Sequence, residues 1–273
     1  MSYGLKLINA NSYLTFDENK TYYQFQEKLT STQATVMFSQ RFYWDTVYTG
    51  SKFPLVFIYS NGYWCSIINT QRLSGNNWRV HVWCEGTKAT ATKNNITGYV
   101  FTESSESSTN PSWGIKIKDS SGARIYDSDF NLMRIKDFVT MPAPQDAYAG
   151  CNSTRVAASA AGVSQSNSTA HGITFPTGGK PTALLYSNGF QISRCDDHGC
   201  VYYPPSYPFP ARYFCAQRTG WKTVQKVTST SVEHGWGNIG AASYALRDNH
   251  FASSDKTTPE AYVCPILNGA DYD

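Results

Sequence analysis

The sequence predicts a mainly β protein: an antiparallel β-sandwich domain over residues 1–138, then an extended linker and loop-rich, β-containing domain over residues 139–273. Three observations carry this. First, of the 273 residues 15% are aromatic and 16% are charged, whereas ordinary globular chains carry roughly 25% charged residues. Second, the polar remainder is Ser, Thr, Asn and Gly. Aromatic side chains suit a pleated, half-buried surface, and small polar residues suit turns. Third, short apolar segments recur at close spacing with turn residues between them, the pattern of a sandwich rather than of βαβ units.

The elements follow in order. Tyr3–Ile8 alternates, Asn9–Ser12 supplies turn residues and Tyr13–Phe16 returns, so a hairpin is expected, stopped at Asp17-Glu18-Asn19. Further strands are expected at Tyr22–Gln26, Ala34–Ser39, Leu55–Tyr59 and Tyr63–Asn69. The clearest is Trp78–Cys84, with Trp78, Val80, Val82 and Cys84 on one face and Arg79, His81 and Trp83 on the other. Gly98–Thr102 and Trp113–Lys118 complete the set.

Two internal echoes stand out. YGLKLINANSYLTFD at 3–17 aligns without a gap on WGIKIKDSSGARIYD at 113–127, with identities at Gly4/Gly114, Lys6/Lys116 and Asp17/Asp127. Each copy reads as strand, small-residue turn and strand. PLVFIYSNGYW at 54–64 likewise aligns on PTALLYSNGFQ at 181–191. Asn-Gly supplies the positive φ values of a type I′ turn, so each Tyr-Ser-Asn-Gly is expected at a hairpin tip. A partial duplicate of the first domain and a common hairpin solution used twice both account for the second echo.

Between Asp137 and Thr174 small residues dominate, with Met141-Pro142-Ala143-Pro144 at the entry. This reads as a linker or arm, with a boundary near 138–144. Pro204–Pro210 holds four prolines between aromatics, which forbids regular structure there. The stretch from Gly235 to Pro265 reads as irregular, with long loops.

A net charge of +3 without a basic block argues against nucleic acid as a partner. Arg212, Arg218, Lys222 and Lys226 read as solvated surface. Met1–Lys6 offers no apolar signal region, and the longest apolar run, Leu55–Tyr59, is far short of the ~20 residues of a spanning helix. Folding in a cytoplasm without a membrane span is therefore expected. On that route the sequons at Asn19, Asn95, Asn152 and Asn167 reflect turn-rich composition.

The search for chemistry finds no nucleophile elbow, no HExxH, no P-loop and no dinucleotide fingerprint, so neither catalytic residues nor a cofactor is expected. Asp127 with Asp129, and Asp196 with Asp197, read as turn caps, because glycosidase carboxylates converge from separate strands about 5–9 Å apart. His81 is placed on the second face of its strand, and His171, His234 and His250 in loops. The metal candidate is Cys195, His198 and Cys200, with Cys215 as a fourth ligand, since thiolate and imidazole suit zinc and Gly199 permits a tight turn. A Cys195–Cys200 disulfide competes with it. The plainest reading is reduced, buried thiols, which the odd count of seven cysteines favours.

The opening MSYGLKLINANSYLTFD resembles the start of small structural proteins encoded in the tail gene clusters of tailed bacteriophages and prophages. WGIKIKDSSGARIYDSDFNLMRI resembles the way such domains close. The likeness covers roughly residues 1–138. It implies a virion protein, assembled in the host cytoplasm: a minor tail protein at the tail tip, baseplate or fibre junction, bound to other tail proteins in a symmetric assembly. It supplies no active-site residues. A host-surface glycan-binding module is the alternative, with Trp64, Trp83, Trp221 and Trp236 as stacking candidates, and a head decoration or head-fibre protein is another.

Overall fold

The computed structural model describes residues 4–8, 13–17, 22–38, 41–48, 53–85, 92–103, 116–118, 124–127, 131–141, 163–173, 179–186, 190–197, 214–246, 254–257 and 262–273. The chain is mainly β. Its first half runs through β1 (Gly4–Ile8), β2 (Tyr13–Asp17), β3 (Tyr23–Leu29), β4 (Thr35–Phe38), β5 (Arg41–Val47), β6 (Leu55–Tyr59), β7 (Trp64–Ser74), β8 (Asn77–Cys84) and β9 (Thr97–Glu103). The second half runs through β10 (Lys116–Lys118), β11 (Arg124–Asp127), β12 (Ile135–Met141), β13 (Val163–Gly172), β14 (Pro181–Ala183) and β15 (Phe190–Asp197). It ends with β16 (Phe214–Val227), β17 (Ser231–Leu246), β18 (Ser254–Thr257) and β19 (Tyr262–Asn268). Among the described residues the helical elements are two 3₁₀ turns, Lys93–Asn95 and Gly269–Tyr272.

Two antiparallel sheets build the body. A six-stranded sheet has the order β12-β19-β14-β6-β9-β3. A nine-stranded sheet follows β13-β17-β16-β7-β8-β5-β4, with β15 beside β16 and β18 beside β15. Alternation explains the packing between them. Phe42 and Trp44 of β5 and Val80 and Val82 of β8 point inward, as do Val56 and Ile58 of β6, Val100 of β9 and Ile266 of β19; all are fully buried in one cluster. The Trp44 indole N–H donates to the Thr30 carbonyl at 2.9 Å, which satisfies the polar edge of that core residue.

The six-stranded sheet has a second, opposite interior. Beside β3, Phe25 N–H donates to Asn131 C=O and Met133 N–H to Tyr23 C=O, both at 2.8 Å. Two residues later the chain enters β12, at the far end of the strand order. Two residues reach no more than about 7 Å, so the outer strands are drawn together and the sheet curls round. Tyr23, Phe25, Leu55, Phe57, Tyr59, Tyr99, Phe101, Leu184 and Leu267 meet in one cluster drawn from around that circle, which places it on the inside of the curl.

The two halves repeat one path. An outer strand of the six-stranded sheet (β3 or β12) leads through the other sheet to an inner strand (β6 or β14). The chain crosses again, then returns between them as β9 or β19. The ladders match residue for residue. Phe25 faces Phe101, Glu27 faces Val100 and Leu29 faces Gly98, with a bulge after Phe25. Ile135 faces Leu267, Asp137 faces Ile266 and Val139 faces Cys264, with a bulge after Ile135. The spacing that aligns 3–17 on 113–127 also aligns Phe25 on Ile135. The seam between halves is the antiparallel β6/β14 pair, with Ile58 facing Ala183, so Phe57 and its echo partner Leu184 stand at its centre. The halves are therefore related by a pseudo-twofold axis through this seam, and both echoes are traces of one internal repeat.

Several expectations change. The boundary at 138–144 begins inside β12, and strands from both sides of it share both sheets, so the chain does not divide into separate bodies there. The expected linker contains β13. The stretch read as irregular from Gly235 contains most of β17, a long strand whose Gly, Ala and Ser residues carry little strand signal but are held by β16 along most of their length. Tyr-Ser-Asn-Gly is not a hairpin tip. Asn61 and Gly62 do take positive φ (50° and 80°), and Tyr63 N–H closes on Ser60 C=O at 3.0 Å. The turn nevertheless carries the chain from β6 to β7 in the opposite sheet; the second copy joins β14 to β15 likewise, its Ser187, Asn188 and Gly189 lying outside the described residues. β1/β2 and β10/β11 are hairpins as expected, but Gly4 faces Asp17 whereas Lys116 faces Asp127, so their registers differ by two residues. Pro204–Pro210 lies outside the described residues.

Candidate interaction surfaces

The outer face of β5, β8 and β7 carries a row of planar polar groups. The ladders place Asp45 opposite Arg79 and Tyr43 opposite His81. Arg79 donates from Nε to Asp45 Oδ1 at 2.7 Å and from Nη2 to Oδ2 at 2.8 Å, and its guanidinium stands 3.8 Å over the Tyr43 ring. Tyr43 and His81 lie 6.0 Å apart between ring centres. Burial, with the charges of Arg79 and Arg41, pushes the His81 imidazole below its ordinary value, so at neutral pH it is an uncharged donor and acceptor. With Asn69 and Gln71 alongside, the face offers hydrogen bonds and a ring edge; it holds no arrangement of nucleophile and base.

A second surface is apolar. Phe138 and Val263 are 61% and 53% exposed. Phe138 faces Pro265 and Thr140 faces Val263, so Phe138 and Val263 are diagonal neighbours on one face of β12 and β19. Phe138 corresponds to Lys28 in the first half, where the surroundings differ. There Asp273 is bound by Lys28 Nζ at 2.7 Å, by Tyr99 OH at 2.8 Å and by Lys180 Nζ. Tyr272 is buried against Phe25, Tyr99 and Phe101, accepts from Arg134 N–H at 2.8 Å and donates to Leu132 C=O at 2.9 Å. The Gly269–Tyr272 turn thus fastens the curled sheet over one half and leaves Phe138 and Val263 open on the other.

The sequence candidates are distributed as follows. Cys195 and Cys215 lie on neighbouring strands, with Cys195 opposite Gln217 and Asp197 opposite Cys215; His198 and Cys200 lie outside the described residues. Among the described residues no group of three His, Cys, Asp or Glu is placed to hold a metal ion. Asp196 and Asp197 belong to β15 rather than a turn, and Asp127 ends β11, while Asp129 lies outside the described residues. His171 lies in β13, and His234 is buried in β17 rather than in a loop; His250 lies outside the described residues. Trp64 and Trp83 are buried with Val224, which removes them as sugar-stacking platforms. Trp221 and Trp236 are strand positions on β16 and β17. Lys226 pairs with Glu233 at 2.8 Å and stands 5.1 Å from the Trp64 ring centre, a structural role instead of solvated surface.

Sequence reasoning missed β5 and the Tyr272–Asp273 anchor. The first was findable, since RFYWDTV alternates Phe42, Trp44 and Thr46 against Arg41, Tyr43 and Asp45. The second rests on contacts between residues far apart in the chain and left no local signal. Compared with known proteins, the chain matches no family model, no curated protein and no solved structure.

Proposed function

We propose that this chain is a structural component of a tailed-phage particle, a minor tail protein at the tail tip, baseplate or fibre junction that works through protein–protein contacts. The observation that carries the reading is the apolar pair Phe138 and Val263, half or more exposed side by side, whereas Phe42, Trp44, Phe57, Trp64, Trp83, Tyr99 and Phe101 among the described residues are buried. Protein-contact patches are enriched in aromatics and depleted in charge at their centre. The N-terminal resemblance supplies the setting, and a rigid β body suits a part that holds position instead of changing shape. The partner is another tail subunit, with Phe138 seated in an apolar recess.

The test is mass spectrometry of purified particles, with the chain counted against the major capsid protein. A few copies per particle support the reading. Absence from particles defeats it, and a copy number equal to that of the capsid subunits moves the chain to the head as a decoration protein. In the same particles, Phe138→Ser with Val263→Ser should leave the fold intact and reduce incorporation.

A second reading, binding of host-surface glycan, draws on the Arg41, Tyr43, Asp45, Asn69 and Gln71 face. With Trp64 and Trp83 buried, its stacking surface reduces to Tyr43, one side of which Arg79 already covers. Retention of the isolated protein on a glycan array, lost in Tyr43→Ala, would support it.

A further inference from the structure

Cys65 of β7 and Cys84 of β8 face each other in the ladder. Glu85 N–H donates to Trp64 C=O at 3.0 Å, which makes Trp64/Glu85 a hydrogen-bonded pair. Cys65/Cys84, one step along, is therefore a non-hydrogen-bonded pair. In such pairs the Cα atoms stand about 4.5 Å apart and the side chains approach most closely. A disulfide spans Cα separations of about 4.4–6.8 Å, so a pair in this register suits one. Both cysteines stand as free thiols in the structure, fully buried in the same inter-sheet core. Cys264, the other described buried thiol, faces Val139 instead of a cysteine.

We propose that Cys65 and Cys84 form a cross-strand disulfide, made by exchange with a small-molecule disulfide while the β7/β8 hairpin is still open. One cysteine thiolate attacks the reagent, forming a mixed disulfide and releasing one small thiolate. The second cysteine then gives its proton to solvent, and its thiolate attacks the protein sulfur of the mixed disulfide and expels the other small thiolate. Two protein thiols are oxidised, one reagent disulfide is reduced to two thiols, and no other reactant is needed.

The closed fold works against reaction. Burial pushes the Cys84 thiol up to about 12 and, with Cys84 and Glu85 adding to it, pushes Cys65 well above its ordinary value. Little thiolate then exists at neutral pH, and the thiolate is the nucleophile. The same burial shields the finished bond from reductant. The bond would also fix a junction, because Cys65 faces Gln225 of β16, where the first half joins the second in the nine-stranded sheet.

The experiment refolds the reduced, denatured full chain with glutathione disulfide, blocks remaining thiols by alkylation and maps peptides without reduction. A Cys65–Cys84 linked peptide is expected in the folded fraction. The already folded, reduced chain should gain the same link at least about tenfold more slowly, since its thiols are protonated and enclosed. Separate alkylated Cys65 and Cys84 peptides from the folded fraction, or links to other cysteines, overturn the pairing. Equal rates for the two starting states overturn the proposed order of bond formation and closure.

Discussion

Asp273 gathers three donors, Lys180, Lys28 and Tyr99, from both halves of the chain. Burial by itself would raise its carboxyl, but those hydrogen bonds and the Lys180 charge outweigh burial and bring it down to about 2. A carboxylate lowered by folding contributes stability that is present above its unfolded value, near 3.8, and is lost as pH falls towards 2. That difference is worth at most about 2 kcal/mol. Asp273→Asn should therefore lower stability at pH 7 by about 1–2 kcal/mol and flatten the acid limb between pH 4 and pH 2, as read by urea unfolding across that range. An unchanged acid limb would show that the carboxylate is not what fastens this corner. Gly269 beside it has no room for a side chain: a Cβ there would stand 2.5 Å from Thr182 Oγ1 and 2.9 Å from the Tyr99 ring. Gly269→Ala should cost about 1–3 kcal/mol, the usual toll of overpacking. Gly172→Ala on β13, with nothing within 4 Å, should change stability little in the same assay.

Strand elements were legible in proportion to their alternation. Trp78–Cys84 could be read because Trp78, Val80 and Val82 alternate with Arg79 and His81, and Leu55–Tyr59 because its apolar run meets a turn signal; both are strands, the second buried on two faces. From Gly235 to Leu246 the residues other than Trp236, Ile239, Tyr244 and Leu246 are Gly, Ala, Ser and Asn, so β17 could not be read from alternation; it is held as the return strand of its hairpin with β16. The Tyr-Ser-Asn-Gly arch was half legible. Its backbone conformation follows from Asn-Gly, but whether the next strand pairs back or crosses to the other sheet depends on partners elsewhere. Here the turn is tied to β16, since the Ser60 hydroxyl donates to Val227 C=O at 3.1 Å and accepts from Val227 N–H at 3.0 Å, and Gly62 N–H donates to the same carbonyl at 2.9 Å. Gly62→Val should therefore cost about 1–2 kcal/mol through its positive φ, with Asn61→Ala costing less. Ser60→Ala should cost about 1–3 kcal/mol, because it leaves a buried backbone group without its partner. Thermal unfolding of the three variants ranks them, and a harmless Ser60→Ala would remove the tie as the cause of the crossing.

At the scale of the molecule, the internal repeat changes what the halves can do alone. Residues 1–112 hold β6 at the pseudo-twofold seam, with its free edge waiting for β14. Residues 113–273 hold β14 with the complementary edge. The inter-sheet core draws Val56, Ile58 and Val100 from one half and Ala183, Leu185, Cys264 and Ile266 from the other, and the Tyr272–Asp273 anchor reaches from the second half onto Phe25, Tyr99 and Lys28 of the first. A half-chain would expose one side of that core and an unpaired central strand, at about 25 cal/mol for each Å² of apolar surface left in water. Expressed separately, residues 1–112 and 113–273 should each lack cooperative unfolding, and mixing the two denatured fragments by dilution should restore a complex with the parent's circular dichroism and elution. Because the seam pairs equivalent strands, the first fragment also has a self-complementary edge, so its residual association should be dimeric, β6 against β6 with Phe57 at the centre. Phe57→Arg should abolish that association. A fragment 1–112 that unfolds cooperatively as a monomer would mean that the halves are separate bodies in contact, and the shared core would then be an interface.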